Sequence, residues 1–314
     1  MLDNHSFQPA WGLSNPNLQT IVSSVGRKIM KPAWLDDFVQ RSERRDIHVQ
    51  GQHLTAQYDR SSQIDAALVM IIHGWLGSAD SSYVVATAHA LQRAGYHVAR
   101  LTLRDHGGTA DLNEGLFHSA MTDEVVAAAQ FIMDDFGCST AGLVGFSMGG
   151  NFALRLAKHL PQLHTLAICP AISPQHTVEQ IAGSVIYERY FMGKWQALWR
   201  QKQAAFPHLY DFSAMNQLGS IHTLTEVFIK EHTHFDDLQA YYTAYDLRGD
   251  VLDGVRATIL AAFDDPIIPA RHYDSLPDSI DVNLTKRGGH TAYIKNWRLE
   301  SWVDDYSRAF FNER

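Results

Sequence analysis

The stretch Val144-Gly145-Phe146-Ser147-Met148-Gly149-Gly150-Asn151 constrains the chain more than any other. A short apolar run, Ala141 to Val144, meets a helical pattern that begins at Phe152, so G-x-S-x-G falls on a strand-to-helix turn. A serine on such a turn is held in a strained backbone with its hydroxyl above the end of the sheet. The helix behind it aims amide N–H groups and its positive end at any oxyanion formed there. Ser147 is therefore the candidate nucleophile, and a parallel sheet with helices on its faces is the architecture that carries such a turn.

The flanking sequence agrees with that architecture. Ala66 to Ile72 is a continuous apolar run, as expected of a strand buried on both faces, and it ends in His73-Gly74-Trp75-Leu76-Gly77. A helix over about 82–94 ends at Gly95, and His97 to Leu103 forms the next strand. A second helix runs from about Thr122 to Phe136, and the helix after Ser147 stops at Pro161 before the strand Leu163 to Cys169. Three βα units in series predict an open, mostly parallel sheet. Ahead of them, Arg45 to Val49 and His53 to Tyr58 flank Gln50-Gly51-Gln52 and read as an antiparallel hairpin. Residues 7–35 show no clean period and read as a packed arm.

Between Pro170 and about Leu247 the alternation stops, and helical spacing with many aromatic residues replaces it. Phe191, Trp195 and Trp199 are four apart and form one stripe on a helix, which must face something apolar. The sheet resumes at Ala257 to Phe263, before Asp264-Asp265-Pro266, and at Asp281 to Thr285, before Arg287-Gly288-Gly289-His290. A helix near 296–311 closes the chain. The expected organisation is an arm (1–38), an α/β core (39–170 and 248–314) and an inserted helical cap (171–247).

Ser147, one aspartate of the 264/265 pair, and His290 all fall at carboxyl ends of predicted parallel strands, where open α/β sheets gather ligands. The chemistry needs these three types, because the hydroxyl needs a base and the imidazole needs a carboxylate to set its tautomer. Asp264 and Asp265 both remain candidates; counting back from Pro269 selects Asp265, and counting from D-D-P can select Asp264. His73 and His106 are rival bases near the same face, disfavoured by chain order. The backbone N–H groups of Trp75 and Met148 are the expected oxyanion donors. Phe191, Trp195 and Trp199 are the candidate substrate-binding residues. His118 and Asp123 make H-x4-D, but Asp123 reads as a helix start beside the cap Thr122. The cluster Glu231-His232-Thr233-His234-Phe235-Asp236-Asp237 reads as a solvated loop, since H-x-H without a fixed third ligand makes a weak metal site.

Taken together, G-F-S-M-G, the H-G turn, D-D-P and G-G-H resemble the α/β-hydrolase superfamily. Gly12-Leu13-Ser14-Asn15-Pro16-Asn17-Leu18-Gln19-Thr20, His73 to Ser78, Phe117-His118-Ser119 and Gly149-Gly150-Asn151 further resemble its YheT-like branch. That branch includes bacterial proteins assigned as carboxylesterases and eukaryotic ester synthases acting on medium-chain acyl groups. The resemblance implies an eight-stranded α/β-hydrolase fold with the cap after the sixth strand. Phe235-Asp236-Asp237-Leu238 resembles a cap motif of the branch, and Tyr241-Tyr242 follows it closely enough to suggest a shortened cap.

The expected activity is hydrolysis of carboxylic esters with short- to medium-chain acyl groups through an acyl-enzyme on Ser147. Release of the acyl group to an alcohol and a non-catalytic ligand-binding role are the alternatives. Neither a metal nor an organic cofactor is required. Composition narrows the partners: 26 Lys and Arg against 34 Asp and Glu argue against nucleic acid or an anionic membrane as the main partner. Two cysteines, Cys138 and Cys169, offer no disulfide framework. The N-terminus lacks a basic segment followed by an apolar core, and no apolar run approaches membrane-spanning length. A cytoplasmic protein is the expectation.

Overall fold

A computed structural model describes residues 7–312. The arm is more regular than its sequence suggests. Asn15 caps α1 (Pro16–Ile21), its Oδ1 accepting the Leu18 N–H at 3.1 Å, with Pro16 in the first turn. A π-helical turn (Val22–Gly26), α2 (Arg27–Ile29) and α3 (Leu35–Arg41) follow. These pieces are too short to show a period, which is why the arm reads as irregular.

The sheet has eight strands: β1 (Glu43–Val49), β2 (Gln52–Asp59), β3 (Leu68–Ile72), β4 (His97–Thr102), β5 (Ala141–Phe146), β6 (Leu163–Ile168), β7 (Ala257–Ala262) and β8 (Ile280–Thr285). Their order is β1-β2-β4-β3-β5-β6-β7-β8, and β2 alone runs against the others. The helices α4 (Ser82–Arg93), α5 (Thr122–Asp135) and α6 (Met148–His159) connect the central strands. The chain moves outward from β3 to β4 and returns past β3 to β5, so the switch point lies between the carboxyl ends of β3 and β5. His73-Gly74-Trp75 and Ser147 both leave the sheet there. The strands β3, β4 and β5 are buried throughout, as a sheet covered on both faces requires.

Four helices lie between β6 and β7: α7 (Pro174–Ala182), α8 (Val185–Ala205), α9 (Ile221–His232) and α10 (Leu238–Thr243). They are the helical cap after the sixth strand. Their aromatic residues share one apolar cluster with Ala167, Ile259 and Ala261 of the sheet, so cap and sheet have a common core. Lys202, fully buried on α8, ties the cap to the loop after β4: its Nζ donates to Asp105 Oδ1 at 2.8 Å and to the carbonyls of Asn113 and Gly115. Removing either charge would leave the other buried and unpaired.

The closing helix is shorter than its sequence pattern. α11 spans Trp302–Asn312, because Asn296 Oδ1 accepts the Arg298 and Glu300 N–H groups and holds residues 296–300 in a turn. Among the described residues no helix is long and apolar enough to cross a membrane.

Candidate active site

Ser147 has φ 54° and ψ −115°, a backbone conformation that is costly for a residue with a side chain. Its neighbours make room for it. A Cβ on Gly145 would stand 2.1 Å from the Gly149 carbonyl oxygen, and one on Gly149 would stand 2.4 Å from the His73 carbonyl oxygen. Strand, turn and helix can approach this closely only with glycine at both positions. The Ser147 N–H donates to the Ile168 carbonyl at 2.9 Å, and Asn151 Nδ2 donates to the carbonyls of Ala171 and Tyr245, fixing the turn to β6 and the cap.

The serine hydroxyl lies 2.9 Å from His290 Nε2, and His290 Nδ1 lies 2.9 Å from Asp265 Oδ2. The arrangement assigns the tautomer: Nδ1–H donates to the carboxylate, and Nε2 accepts the serine proton. Asp265 is nearly fully buried, and its other oxygen accepts the N–H groups of Ile267 and Ile268 at 2.8 and 2.9 Å. The two amide contacts on Oδ1 aim Oδ2 at the imidazole. Asp264 does a different job: its Oδ1 accepts the Gly289 N–H at 3.0 Å, tying the turn after β7 to the loop that carries His290. Burial raises the Asp264 carboxyl, and the Gly289 and Gly288 amides partly offset that. The geometry thus separates the two aspartates left open above.

The rival histidines are structural. His73 is fully buried, its Nδ1–H donating to the Gly74 carbonyl at 2.7 Å while Nε2 accepts the Leu103 N–H at 3.1 Å. Burial, and secondarily His106, hold it well below the ordinary histidine range, so it stays neutral. His106 donates Nδ1–H to the Arg104 carbonyl, and burial pushes it down to about 4. His118 does not pair with Asp123, which is exposed in the first turn of α5; it packs against His234, Phe235 and Tyr241. Thr122 is the first helical residue rather than the cap, and its hydroxyl accepts from Arg155.

Gly74 passes close under the nucleophile, where a Cβ would lie 3.3 Å from Ser147 Cβ. Its N–H donates to the Tyr83 hydroxyl at 2.9 Å. The next amide, that of Trp75, and the Met148 amide at the start of α6 donate to no acceptor among the described residues. Both are therefore available to an oxyanion beside Ser147.

Above the serine lies a cavity of about 360 Å³, lined by Phe191, Trp195, Ile181, Val178, Phe228 and other side chains of cap and core. Phe191 stacks on the Trp75 ring with centroids 5.3 Å apart, and Trp195 meets it edge-on at 5.1 Å. Trp199 is not part of this lining. One turn further along α8, it packs between Phe212 and Phe228 and belongs to the core of the cap. The aromatic stripe of α8 thus changes role along its length, from cavity wall to core.

Two arm residues join the site without any signal in their own chemistry. Thr20 Oγ1 accepts the His290 N–H at 2.9 Å and donates to the Pro16 carbonyl at 2.8 Å. The Gln19 side chain accepts the Ile294 N–H at 2.8 Å and donates to the Ile294 carbonyl at 3.2 Å. The Asn-Pro-x-Leu-Gln-Thr run is thereby a clamp on the loop from Gly288 to Ile294. Only the resemblance marked that run in the sequence.

Cys169, Asp265 and His290 offer one ligand atom each within 4.8 Å of one another, the one such group of three among the described residues. A metal would need the thiolate. Burial, and then the Asp265 carboxylate, push the Cys169 thiol well above its ordinary range, which keeps it protonated and unsuited to that role. The residues around His232 and His234 form no such group; both rings pack against aromatic neighbours. Cys138 and Cys169 are both free thiols.

Comparison with known proteins finds a family profile, a sequence relative and solved structures of similar fold. The profile of a family described as the alpha/beta hydrolase fold matches residues 67–187. The chain is 26% identical over 336 aligned residues to an Escherichia coli K12 protein named "Putative esterase YheT", covering 96% of this chain and 94% of that one. Among solved structures, a serine hydrolase from Cycloclasticus zankles superposes with a TM-score of 0.59 at 16% identity, covering 86% of this chain and 98% of the other. An esterase from Pyrococcus furiosus gives a TM-score of 0.54 at 14% identity, with 91% and 95% covered.

Proposed function

We propose that this chain, an α/β hydrolase of the YheT-like branch, is a serine esterase that cleaves carboxylic esters through an acyl-enzyme on Ser147. One observation carries the reading: the Ser147 hydroxyl, His290 and Asp265 form a continuous hydrogen-bonded chain at the base of an apolar cavity. His290 takes the serine proton as Oγ attacks the ester carbonyl. The resulting oxyanion is met by the amides of Trp75 and Met148, and Asp265 stabilises the imidazolium. His290 then gives its proton to the departing alcohol and activates water to release the acid. No step calls for a metal or organic cofactor.

The cavity supports an acyl chain of medium length. Phe191 and Trp195 face it beside Trp75, whose amide meets the oxyanion, so an acyl chain bound there runs along aromatic walls. Burying each added methylene contributes up to about 0.8 kcal/mol, so kcat/KM should rise severalfold for every two carbons until the cavity is filled. The test is labelling by a fluorophosphonate probe, followed by kcat/KM for p-nitrophenyl esters from acetyl to dodecanoyl. Absent labelling of folded protein would overturn the mechanism, and a steady decline from acetyl onward would overturn the acyl site.

A further inference from the structure

The turn after β3 that carries the Trp75 amide is held at its two ends by different parts of the molecule. Its first end belongs to the body of the fold. The Gly74 carbonyl accepts the His73 Nδ1–H at 2.7 Å and the Gly77 N–H at 3.0 Å, and the Gly74 N–H donates to the Tyr83 hydroxyl. The far end has no such support from the body. Among the described residues the Leu76 carbonyl accepts one hydrogen bond, from Lys194 Nζ at 3.0 Å. Lys194 stands on α8 of the cap, 118 positions further along the chain.

That far end is also where the backbone is strained. Leu76 has φ 56°, in the left-handed region that a leucine rarely enters. Relaxing the torsion to a negative value turns the Trp75–Leu76 peptide, which adjoins the amide assigned to the oxyanion. A turn that is both costly and aimed at a reacting atom needs a fixed point beyond its bend.

Lys194 is placed to be that point. A long charged side chain ordinarily carries its head out to water, but this one is half-buried and turns inward to a backbone carbonyl. Its ammonium also lies 4.9 Å from the centre of the Tyr190 ring, one helical turn back on α8, so the head is held from two sides. Phe191 and Trp195 flank it on the same face of α8 and pack on the Trp75 ring at 5.3 and 5.1 Å. Three neighbouring side chains of the cap therefore grip Trp75 and Leu76, two by their rings and one by a hydrogen bond.

We propose that Lys194 is a positioning residue for the oxyanion site: by holding the Leu76 carbonyl, the cap keeps the Trp75 amide aimed beside Ser147. The inference rests on the esterase reading, because only a reaction at Ser147 raises an oxyanion there. It gives the cap a second task beside walling the cavity, since the oxyanion site is complete only with α8 in place. The test compares Lys194→Met, which keeps the stem and loses the donor, with Lys194→Arg, which keeps a charged donor. The substrate is p-nitrophenyl acetate, whose acyl group is short enough to leave the aromatic wall unused.

Lys194→Met should lower kcat about ten- to fiftyfold with KM within about twofold, a smaller loss than the roughly 10²–10³ of deleting an oxyanion donor outright. Lys194→Arg should return kcat to within about threefold of wild type, because the guanidinium still donates. A hexyl trifluoromethyl ketone gives the second readout: the serine oxygen adds to its carbonyl carbon, His290 takes the proton, and the carbonyl oxygen becomes the oxyanion. It should bind Lys194→Met more weakly by the factor lost in kcat, while hexyl methyl ketone, which stays a neutral carbonyl, binds both proteins alike. Should Lys194→Met not fold, the two ketones decide in the same way on Lys194→Gln, whose amide falls short of the carbonyl. Unchanged kcat in folded Lys194→Met overturns the proposal, as does a change confined to KM, which would make Lys194 part of the wall. Equal weakening of both ketones, or no recovery in Lys194→Arg, does the same. A wild-type kcat that falls steeply as salt is raised to about 0.5 M would assign the effect to the field of the charge and overturn the tether. Wild-type protein that neither takes the fluorophosphonate label nor hydrolyses the acetate removes the esterase reading, and this inference with it.

Discussion

The proposed nucleophile and its proposed base are built in opposite ways. Most of what shapes Ser147 lies within a few residues of it or on the strand next door: Gly145 and Gly149 remove side chains from the crossing, and Ile168 receives its amide, with Asn151 adding one distant tie to the Tyr245 carbonyl. His290 sits on a loop whose shape comes from far away. Thr20, 270 positions earlier, receives its amide, Gln19 holds Ile294, and Asp264 holds Gly289. A nucleophile turn can be specified locally because its requirement is steric, whereas a base must be held at one distance from another strand's end. The clamp from the arm meets that second requirement, and the comparison predicts different responses to damage in the two regions.

The largest effect belongs to the elbow. Ser147→Ala should fold normally and lower ester turnover by roughly four orders of magnitude or more, since nucleophile and base act as a unit. Steady-state rates together with an unchanged urea midpoint would check it, and comparable turnover in folded protein would remove Ser147 from the mechanism.

The two aspartates come next and separate chemistry from scaffolding. Asp265→Asn should cost about 10³- to 10⁴-fold in kcat, because the amide favours the wrong imidazole tautomer. Asp264→Asn should show a far smaller loss, expressed chiefly as lower stability of the His290 loop. Equal effects on kcat would erase the distinction that the geometry draws between them.

Thr20 tests the clamp itself. As a positioning residue it should respond to Thr20→Val with about a tenfold fall in kcat and little change in KM for acetyl esters, while Thr20→Ser should restore the rate. A change in KM alone would make Thr20 a wall of the cavity and not a support of the base.

A last effect is on stability with pH, and it leaves the chemistry untouched. His106 is held at about 4 by burial, against an unfolded value near 6.5. A depressed histidine is neutral in the folded chain while the unfolded chain takes up a proton, so stability is lost as pH falls from about 6.5 toward 4 and is unaffected above that window. The slope contributed by His106 should be about 1.4 kcal/mol per pH unit, with His73 adding in the same direction. Urea midpoints at pH 7.5, 6.0 and 5.0 measure it, and His106→Asn should make the decline shallower.

Much of this fold is legible in the sequence. The buried runs at Leu68 to Ile72 and Ala141 to Val144, the helical period after Ser147 and the βα alternation state a parallel sheet, because a strand covered on both faces has no polar side to show. The serine turn, the Asp-Asp pair and His290 stand out in the sequence because the proposed chemistry needs a particular residue type at the end of a strand. The arm was not legible, since α1 and α2 have six and three residues, too few turns for a period to repeat. Nor was the end of the closing helix, where Asn296 competes for backbone amides.

Local pattern by itself determined the order of strands and helices, the elbow and the set of residue types able to do the chemistry. Only the tertiary structure decided which aspartate meets the imidazole, which end of the α8 stripe faces the cavity, and that Gln19 and Thr20 hold the base. Backbone shape and burial leave a period in the chain because they act over one or two turns. A distance of 2.9 Å between groups on separate strands depends on how those strands are packed, and packing leaves no period to read.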